Sequence, residues 1–330
     1  MNSQTKKPLL EVQDLKVEIK TKVGSFVPVN GHSFSVHEGE TIGIVGESGS
    51  GKSMTASALM RLLPKHVAKI TEGSVRLDGK ELLTLSEKQM RKVRGAEISM
   101  ILQDPQTSLN PAFTVGSQIK EALRLHAPGP RRSLRSRAID ALKAVKVAAP
   151  EQRIDAYPGE LSGGMRQRVV GAIAISCRPK VIIADEPTTS LDVTVQAQYL
   201  RLLRELQEET GMAILFITHD FGIVASLCHR VLVMYAGRIV ESGPVGKIFA
   251  NPAHPYTEAL IATVPSLSGN QGRLRTIPGQ PPSPAEKIVG CPFAPRCDYA
   301  DARCRSEAPP TVLANGDSEH TTSCWRAVNQ

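Results

Sequence analysis

Hydrophobic and polar positions alternate through residues 9–20 and 27–36, a period of two that predicts antiparallel strands with one buried face. The pattern then changes to short unbroken apolar runs at residues 41–45, 98–102, 181–184 and 212–218. Runs of this length, rich in Ile and Val, predict buried strands of a parallel sheet. Helical spacing fills the intervals. Residues 54–63 read as a helix after the first run, and residues 115–170 read as mostly helical, with apolar spacings of three and four over 116–126 and 133–147. A helix is also predicted over 193–210, opened by Asp192 as N-cap and closed by Gly211. Its Leu200, Leu203 and Leu206 are expected in the core. From Pro244 onward the regularity fails. Twelve of the 23 prolines fall between residues 244 and 310, which predicts an irregular tail with little core of its own.

The strand ends carry the candidate chemistry. Directly after the run at 41–45 come Gly46, Glu47, Ser48, Gly49, Ser50, Gly51, Lys52 and Ser53, matching G-x-x-x-x-G-K-[ST] between a strand and a helix. The glycines let backbone N–H groups turn inward onto phosphate oxygens, and the following helix start adds partial positive charge. Lys52 is placed to reach the β- and γ-phosphates and the Ser53 hydroxyl to ligate Mg²⁺. A chance match in a chain of this length is on the order of one per cent. The run at 181–184 ends in Asp185 and Glu186, where ligands of open α/β sheets bind. Asp185 is expected to hold Mg²⁺, and Glu186 to orient and polarise the attacking water. His219 ends the run at 212–218, and Gln103 follows that at 98–102.

Composition narrows the setting. The 330 residues suffice for one large domain plus an appendage, and 41% hydrophobic content suits a globular protein. No run approaches the ~20 apolar residues of a membrane span, and the first residues lack a signal-peptide core. The chain is read as intracellular, meeting a membrane only by docking. The net charge of +8 is visible in the basic run at 131–137, which lacks interleaved aromatics and reads as a solvated helix face rather than a nucleic-acid surface.

Leu161, Ser162, Gly163, Gly164, Met165, Arg166 and Gln167 resemble the signature motif of ABC-type ATPases, and residues 185–192 resemble their Walker B motif and D-loop. The resemblance implies an α/β, ABC-type P-loop ATPase: a RecA-like mixed-sheet core with an antiparallel β-subdomain and a helical signature subdomain, plus a Pro-rich, Cys-containing C-terminal extension. The implied boundaries are 8–250 for the ATP-binding domain, with the helical subdomain at about 115–170, and 251–330 for the extension. It further implies that ATP is sandwiched between the 46–53 loop of one subunit and Ser162, Gly163 and Gly164 of its partner, with Met54 and Gln167 beside the nucleotide and Gln103 near Mg²⁺. Glu186, His219 and Gln103 are the implied catalytic group. The family's adenine-stacking aromatic is absent from residues 18–24, so Phe26 is the nearest candidate. Residues 103–111, 233–237 and 254–260 are similar to the ATP-binding subunits of dipeptide and oligopeptide importers. The implied partners are a second, non-identical ATPase subunit, two transmembrane permeases docking at 103–115 and an extracytoplasmic peptide-binding protein. Membrane contact runs through the permeases at the cytoplasmic face of the bacterial inner membrane, and no nucleic acid is expected. The rival reading is a soluble ABC ATPase acting on nucleic acid or the ribosome. A third reading keeps the importer but changes the cargo, to nickel chelates or antimicrobial peptides.

Six cysteines are present. Cys177 and Cys228 sit alone in apolar segments and read as small buried side chains. Cys291, Cys297, Cys304 and Cys324 fall within the tail, where disulfides are not expected. Their spacing lacks the close pairs zinc prefers, four cysteines are the usual ligand set of a [4Fe–4S] cluster, and the family resemblance implies such a cluster; zinc and free thiols are the alternatives.

Overall fold

The computed structural model describes residues 7–22, 24–127, 129–130, 133–189, 191–264, 276–283, 286 and 288–328. Arg131 and Arg132 of the basic run, and Ser190 of the 185–192 segment, lie outside the described residues. The strands are β1 (Leu10–Thr21), β2 (Gly24–Val36), β3 (Thr41–Val45), β4 (Ala68–Leu77), β5 (Lys80–Glu81), β6 (Ile98–Ile101), β7 (Val181–Asp185), β8 (Ala213–Thr218), β9 (Arg230–Tyr235), β10 (Arg238–Pro244), β11 (Val312–Ala314) and β12 (Asp317–Thr322). The helices of at least eight residues are α1 (Lys52–Leu59), α2 (Val115–His126), α3 (Leu134–Ala144), α4 (Gly163–Ile175), α5 (Val193–Thr210) and α6 (Pro255–Ala262).

Contacts divide the chain into two compact units. One comprises Met1–Leu10, Ser35–Glu40 and Arg76–Ile217. In it β6, β7 and β8 are parallel neighbours, Ile98 to Ile101 pairing with Val181 to Ala184 and these with Ala213 to Phe216. Every residue of β7 and β8 is buried, as expected of strands covered on both faces. Helices α2, α3 and α4 pack together through buried Ile119, Leu123, Ala138, Leu142, Val169 and Val170. Asp192 caps α5 by accepting from Val195 N–H at 2.9 Å, and Gly211 ends it with φ 70°. Leu203 and Leu206 are buried there, as are Tyr199 and Leu202.

The other unit comprises Glu11–Phe34, Thr41–Val75 and Thr218–Gln330. Strand β3 runs parallel to β9, β9 antiparallel to β10, β10 to β12 and β12 to β11. The tail is less irregular than its prolines predict. Asn315 and Gly316, at φ 51° and 72°, turn the β11–β12 hairpin in the way a right-handed twist requires. Tyr256 and Phe293 are buried against Tyr235, with ring centroids 4.6 and 5.3 Å away, in one cluster with Val45, Val231 and Val233. The tail thus shares the core of β3 and β9, because a few aromatic side chains bury enough area to order a segment that lacks periodicity. Among the described residues no helix is long and apolar enough to cross a membrane.

Candidate nucleotide-binding and hydrolysis site

The phosphate loop leaves β3 at Gly46 and enters α1 at Lys52. A Cβ on Gly46 would lie 2.1 Å from the Met234 carbonyl oxygen, and one on Gly51 would lie 2.0 Å from that of Pro28. Gly51 also has φ 103°. These two positions admit no side chain, so the glycines of the pattern are required by close backbone approach. Gly51 caps α1 without a side-chain acceptor, and the first turn carries no acidic residue, so the partial positive charge of the helix start is not offset by a carboxylate there. The Lys52 side chain is buried, its Nζ donating to the carbonyls of Gly46 at 2.7 Å and Glu47 at 3.1 Å. Ser50 is buried with no hydrogen-bond partner for its hydroxyl among the described residues, which fits a loop built to receive acceptor oxygens. Ser48, Gly49 and Ser53 are exposed and Met54 is half-buried.

A second layer, unseen in the sequence, sits beneath the loop. Thr55 Oγ1 lies 3.0 Å from the Gly51 carbonyl and 3.2 Å from His32 Nδ1, and His32 Nε2 is 2.9 Å from the Gly237 carbonyl. That carbonyl makes Nε2 the protonated nitrogen and Nδ1 the acceptor. Burial lowers the His32 pKa to about 4, so the ring is neutral at physiological pH despite its Gly237 contact. Phe26 is half-buried on β2, two residues before the Pro28 carbonyl that covers Gly51.

In the unit that holds β7, Asp185 is 5% exposed at the strand end. Glu186 follows at φ 45°, a left-handed conformation of about 1–3 kcal/mol strain. Its N–H donates to the Ile217 carbonyl at 2.9 Å. Glu186 Oε2 accepts from Gln103 Nε2 at 3.2 Å and from Thr189 Oγ1 at 3.0 Å. The structure therefore brings Gln103 and Glu186 together and adds Thr189, whose only sequence signal was its place three residues after Glu186. His219 is exposed directly after β8, and the adjacent Asp220 accepts from Gly222 and Ile223 N–H at 2.7 and 3.3 Å.

Ser162 caps α4, accepting from Met165 N–H at 3.4 Å, and Ser162 and Gly163 are exposed at that helix start. Gly164 is half-buried, a Cβ there meeting Val195 at 2.9 Å. Gln167 departs from expectation: it is fully buried beside Tyr199, whose hydroxyl burial pushes up to about 12 while Gln167 partly offsets the shift. A side chain in that place packs within the helix core. In the basic run, Arg135 forms a fork with Asp155 and Arg137 donates to the Ala127 carbonyl, so the described arginines are engaged within the chain.

The tail cysteines require a correction. Cys291, Cys297, Cys304 and Cys324 are free thiols that line one small cavity of about 20 Å³ together with Phe293, Tyr299 and Trp325. Among the described residues, no group of three or more His, Cys, Asp or Glu side chains is placed to hold a metal ion, and neither the [4Fe–4S] cluster nor the zinc alternative is retained. The chemistry agrees. Burial raises all four thiols, Cys291 to about 11, which favours the protonated form over the thiolate a metal requires. Cys177 and Cys228 are partly buried, and burial raises Cys228 to about 12.

Comparisons with known proteins agree with this geometry. The family described as "ABC transporter" matches residues 29–189, and that described as "Oligopeptide/dipeptide transporter, C-terminal region" matches residues 240–304. A probable peptide ABC transporter ATP-binding protein of Sinorhizobium fredii is 51% identical over 97% of this chain and 95% of its own. The oligopeptide transport ATP-binding protein OppD of Haemophilus influenzae is 48% identical over 98% of each. Among solved structures, the dimeric ATP-binding cassette MJ0796 in a post-hydrolysis state bound to ADP and phosphate superposes with a TM-score of 0.64 at 27% identity, covering 72% of this chain and 98% of that one. The fold these structures share is a RecA-like ABC ATPase with a mixed-sheet core and a helical subdomain.

Proposed function

Because the chain belongs to the ATP-binding subunits of peptide-importing ABC transporters, it hydrolyses ATP in service of peptide import, and we propose the residues that do so. The Gly46–Ser53 loop and Met54 hold the triphosphate, Lys52 neutralises its terminal phosphates, and Ser53, Gln103 and Asp185 are the Mg²⁺ ligands of this reading. Phe26 supplies the adenine contact. Glu186 orients and polarises the attacking water, while Gln103 and His219 sense the γ-phosphate. Ser162, Gly163 and Gly164 close on the ATP of a partner cassette, a reading supported by the dimeric state of the solved relatives. Residues 8–250 form the ATP-binding domain, with a helical subdomain at about 115–170, and 251–330 the peptide-importer extension. The partners are a second, related ATPase, two permeases and a peptide-binding protein, which place the chain on the cytoplasmic face of the membrane.

The observation that carries this reading is Glu186, held in a strained backbone conformation at a strand end and hydrogen-bonded by Gln103 and Thr189. A carboxylate fixed in that way is pre-set for one water. Glu186→Gln keeps the shape and removes the proton acceptor. Its expected outcome is ATP binding within about threefold of wild type, hydrolysis reduced about a thousandfold and an ATP-trapped dimer on size-exclusion chromatography. Turnover at the wild-type rate would refute the role.

A further inference from the structure

The C-terminal region reaches into the phosphate loop. Arg296 is 9% exposed, and its guanidinium forms a two-pronged ion pair with Glu47, Nη1 to Oε2 at 2.6 Å and Nη2 to Oε1 at 3.0 Å. Its remaining donors go to the Tyr235 hydroxyl at 3.1 Å and the carbonyls of Pro278 and Ile277 at 2.8 and 3.4 Å. The guanidinium also stands 5.8 Å from the Tyr235 ring centroid and 5.9 Å from that of Phe293. Its pKa is raised, first by the Glu47 hydrogen bond, so it stays charged in this enclosed place. A second contact comes from α6, where the Tyr256 hydroxyl accepts from Glu47 N–H at 2.9 Å. Both the side chain and the amide of Glu47 are therefore held by residues more than 200 positions away. Glu47 in turn offers its carbonyl to Lys52 Nζ at 3.1 Å.

We propose that Arg296 and Tyr256 are positioning residues for the phosphate loop, and that Arg296 neutralises Glu47 so that the loop can accept the triphosphate. The inference rests on the 46–53 loop being the ATP site. Glu47 adds a carboxylate to a loop that gathers several negative charges, and an unpaired carboxylate there repels the phosphates through a medium that screens poorly. A bidentate guanidinium cancels that charge in a fixed geometry, which a lysine would not reproduce. Tyr256 fixes the amide of the same residue, so the second position of the loop enters the nucleotide complex already ordered. The contact gives the C-terminal extension a task within the ATPase cycle itself: any displacement of the tail that withdraws Arg296 uncovers a negative charge in the loop.

The test uses full-length protein, ATP with Mg²⁺ and calorimetric or fluorescence titration beside steady-state hydrolysis. Arg296→Ala is expected to weaken ATP binding about tenfold and to raise KM in step, with kcat at saturating ATP within about threefold of wild type. Adding Glu47→Gln to Arg296→Ala is expected to bring affinity back to within about twofold of wild type, because the repelling charge is gone. Tyr256→Phe, which keeps the ring packing, is expected to weaken binding about threefold, and it carries the test if Arg296→Ala does not fold. Arg326→Ala serves as a control in the same region, since its guanidinium lies on Tyr299 at 3.9 Å; its affinity is expected to stay at wild type. Wild-type affinity in both Arg296→Ala and Tyr256→Phe would overturn the inference alone, as would failure of Glu47→Gln to restore binding. Absence of ATP binding in the wild-type protein would overturn the inference together with the reading beneath it.

Discussion

Two regions of the phosphate-loop unit bury polar groups and treat them in opposite ways. Around the loop, burial keeps charge: Lys52 is enclosed by the carbonyls of Gly46 and Glu47, and Arg296 is enclosed by Glu47, Tyr235 and two carbonyls. In the cysteine cavity, burial removes charge: the four thiols are pushed upward and the lining is dominated by aromatic and apolar side chains. The difference lies in the partners. A buried cation survives where acceptors surround it, whereas a thiol in apolar surroundings gains nothing from ionising. The loop is thereby kept ready for an anionic ligand, and the cavity is kept inert.

The largest expected effect tests the loop side. Lys52→Ala removes the cation that the loop encloses, and ATP hydrolysis is expected to fall about a thousandfold while the circular dichroism spectrum is retained. Hydrolysis within tenfold of wild type would mean that the enclosed charge is structural, and the contrast with the cavity would lose its functional side.

The next effect comes from two buried histidines, His32 beneath the loop and His254 in the lining of the cavity, which both follow the cavity's rule. Burial holds His32 and His254 at a pKa of about 4, against 6.5 for an unperturbed ring. Above pH 6.5 both folded and unfolded chains carry neutral rings, and the stabilising contribution is complete. As pH falls from 6.5 towards 4, the unfolded chain binds protons that the folded chain refuses, so stability is lost, by roughly 3 kcal/mol per histidine. Urea denaturation across pH 4 to 8 measures it. His32→Gln is expected to remove one proton from the slope below pH 6.5, and an unchanged slope would place the ring in a less buried setting than the one described.

A somewhat smaller effect tests the cavity directly. With Cys291 at about 11 instead of 9.0, its thiolate fraction near pH 8 is about a hundredfold lower than for an ordinary cysteine. Iodoacetamide labelling followed by mass spectrometry is expected to run at least a hundredfold slower in the native protein than in urea. Native labelling at the unfolded rate would show an exposed, ionised thiol and erase the contrast between the regions.

The contrast also explains what was legible beforehand. The phosphate loop is a run of consecutive residues whose glycines are demanded by backbone approach at Gly46 and Gly51, so pattern and geometry coincide. The apolar runs of β3, β6, β7 and β8 were legible for the same reason: local periodicity reports burial. Pairing Gln103 with Glu186 needed a family resemblance, since 83 positions separate them. Arg296, His32 and Tyr256 carried no local sign of the loop they support. The burial of Gln167 was not legible, because the signature stretch continues as a helix whose fifth position turns inward. The four cysteines were suggestive by their number and their gathering in the tail, but neither sets burial, and burial decides whether a thiol ionises. The tail hairpin did have a signal in Asn315 and Gly316, which the density of prolines obscured.

The smallest expected effect isolates burial as the cause. Arg135 and Asp155 form the same two-pronged ion pair as Arg296 and Glu47, at 2.8 and 2.7 Å, but with side chains 49% and 63% exposed against 5% and 26%. Geometry is matched and solvent is not. Water and salt screen the exposed pair, and holding two long side chains in one arrangement costs entropy, so little net stabilisation remains. Arg135→Ala is therefore expected to leave both the thermal midpoint and the ATP affinity within error of wild type at 150 mM salt. A clear fall in the midpoint would mean that the fork itself, independent of enclosure, stabilises this protein. The strength assigned to Arg296 would then owe nothing to its place beneath the phosphate loop.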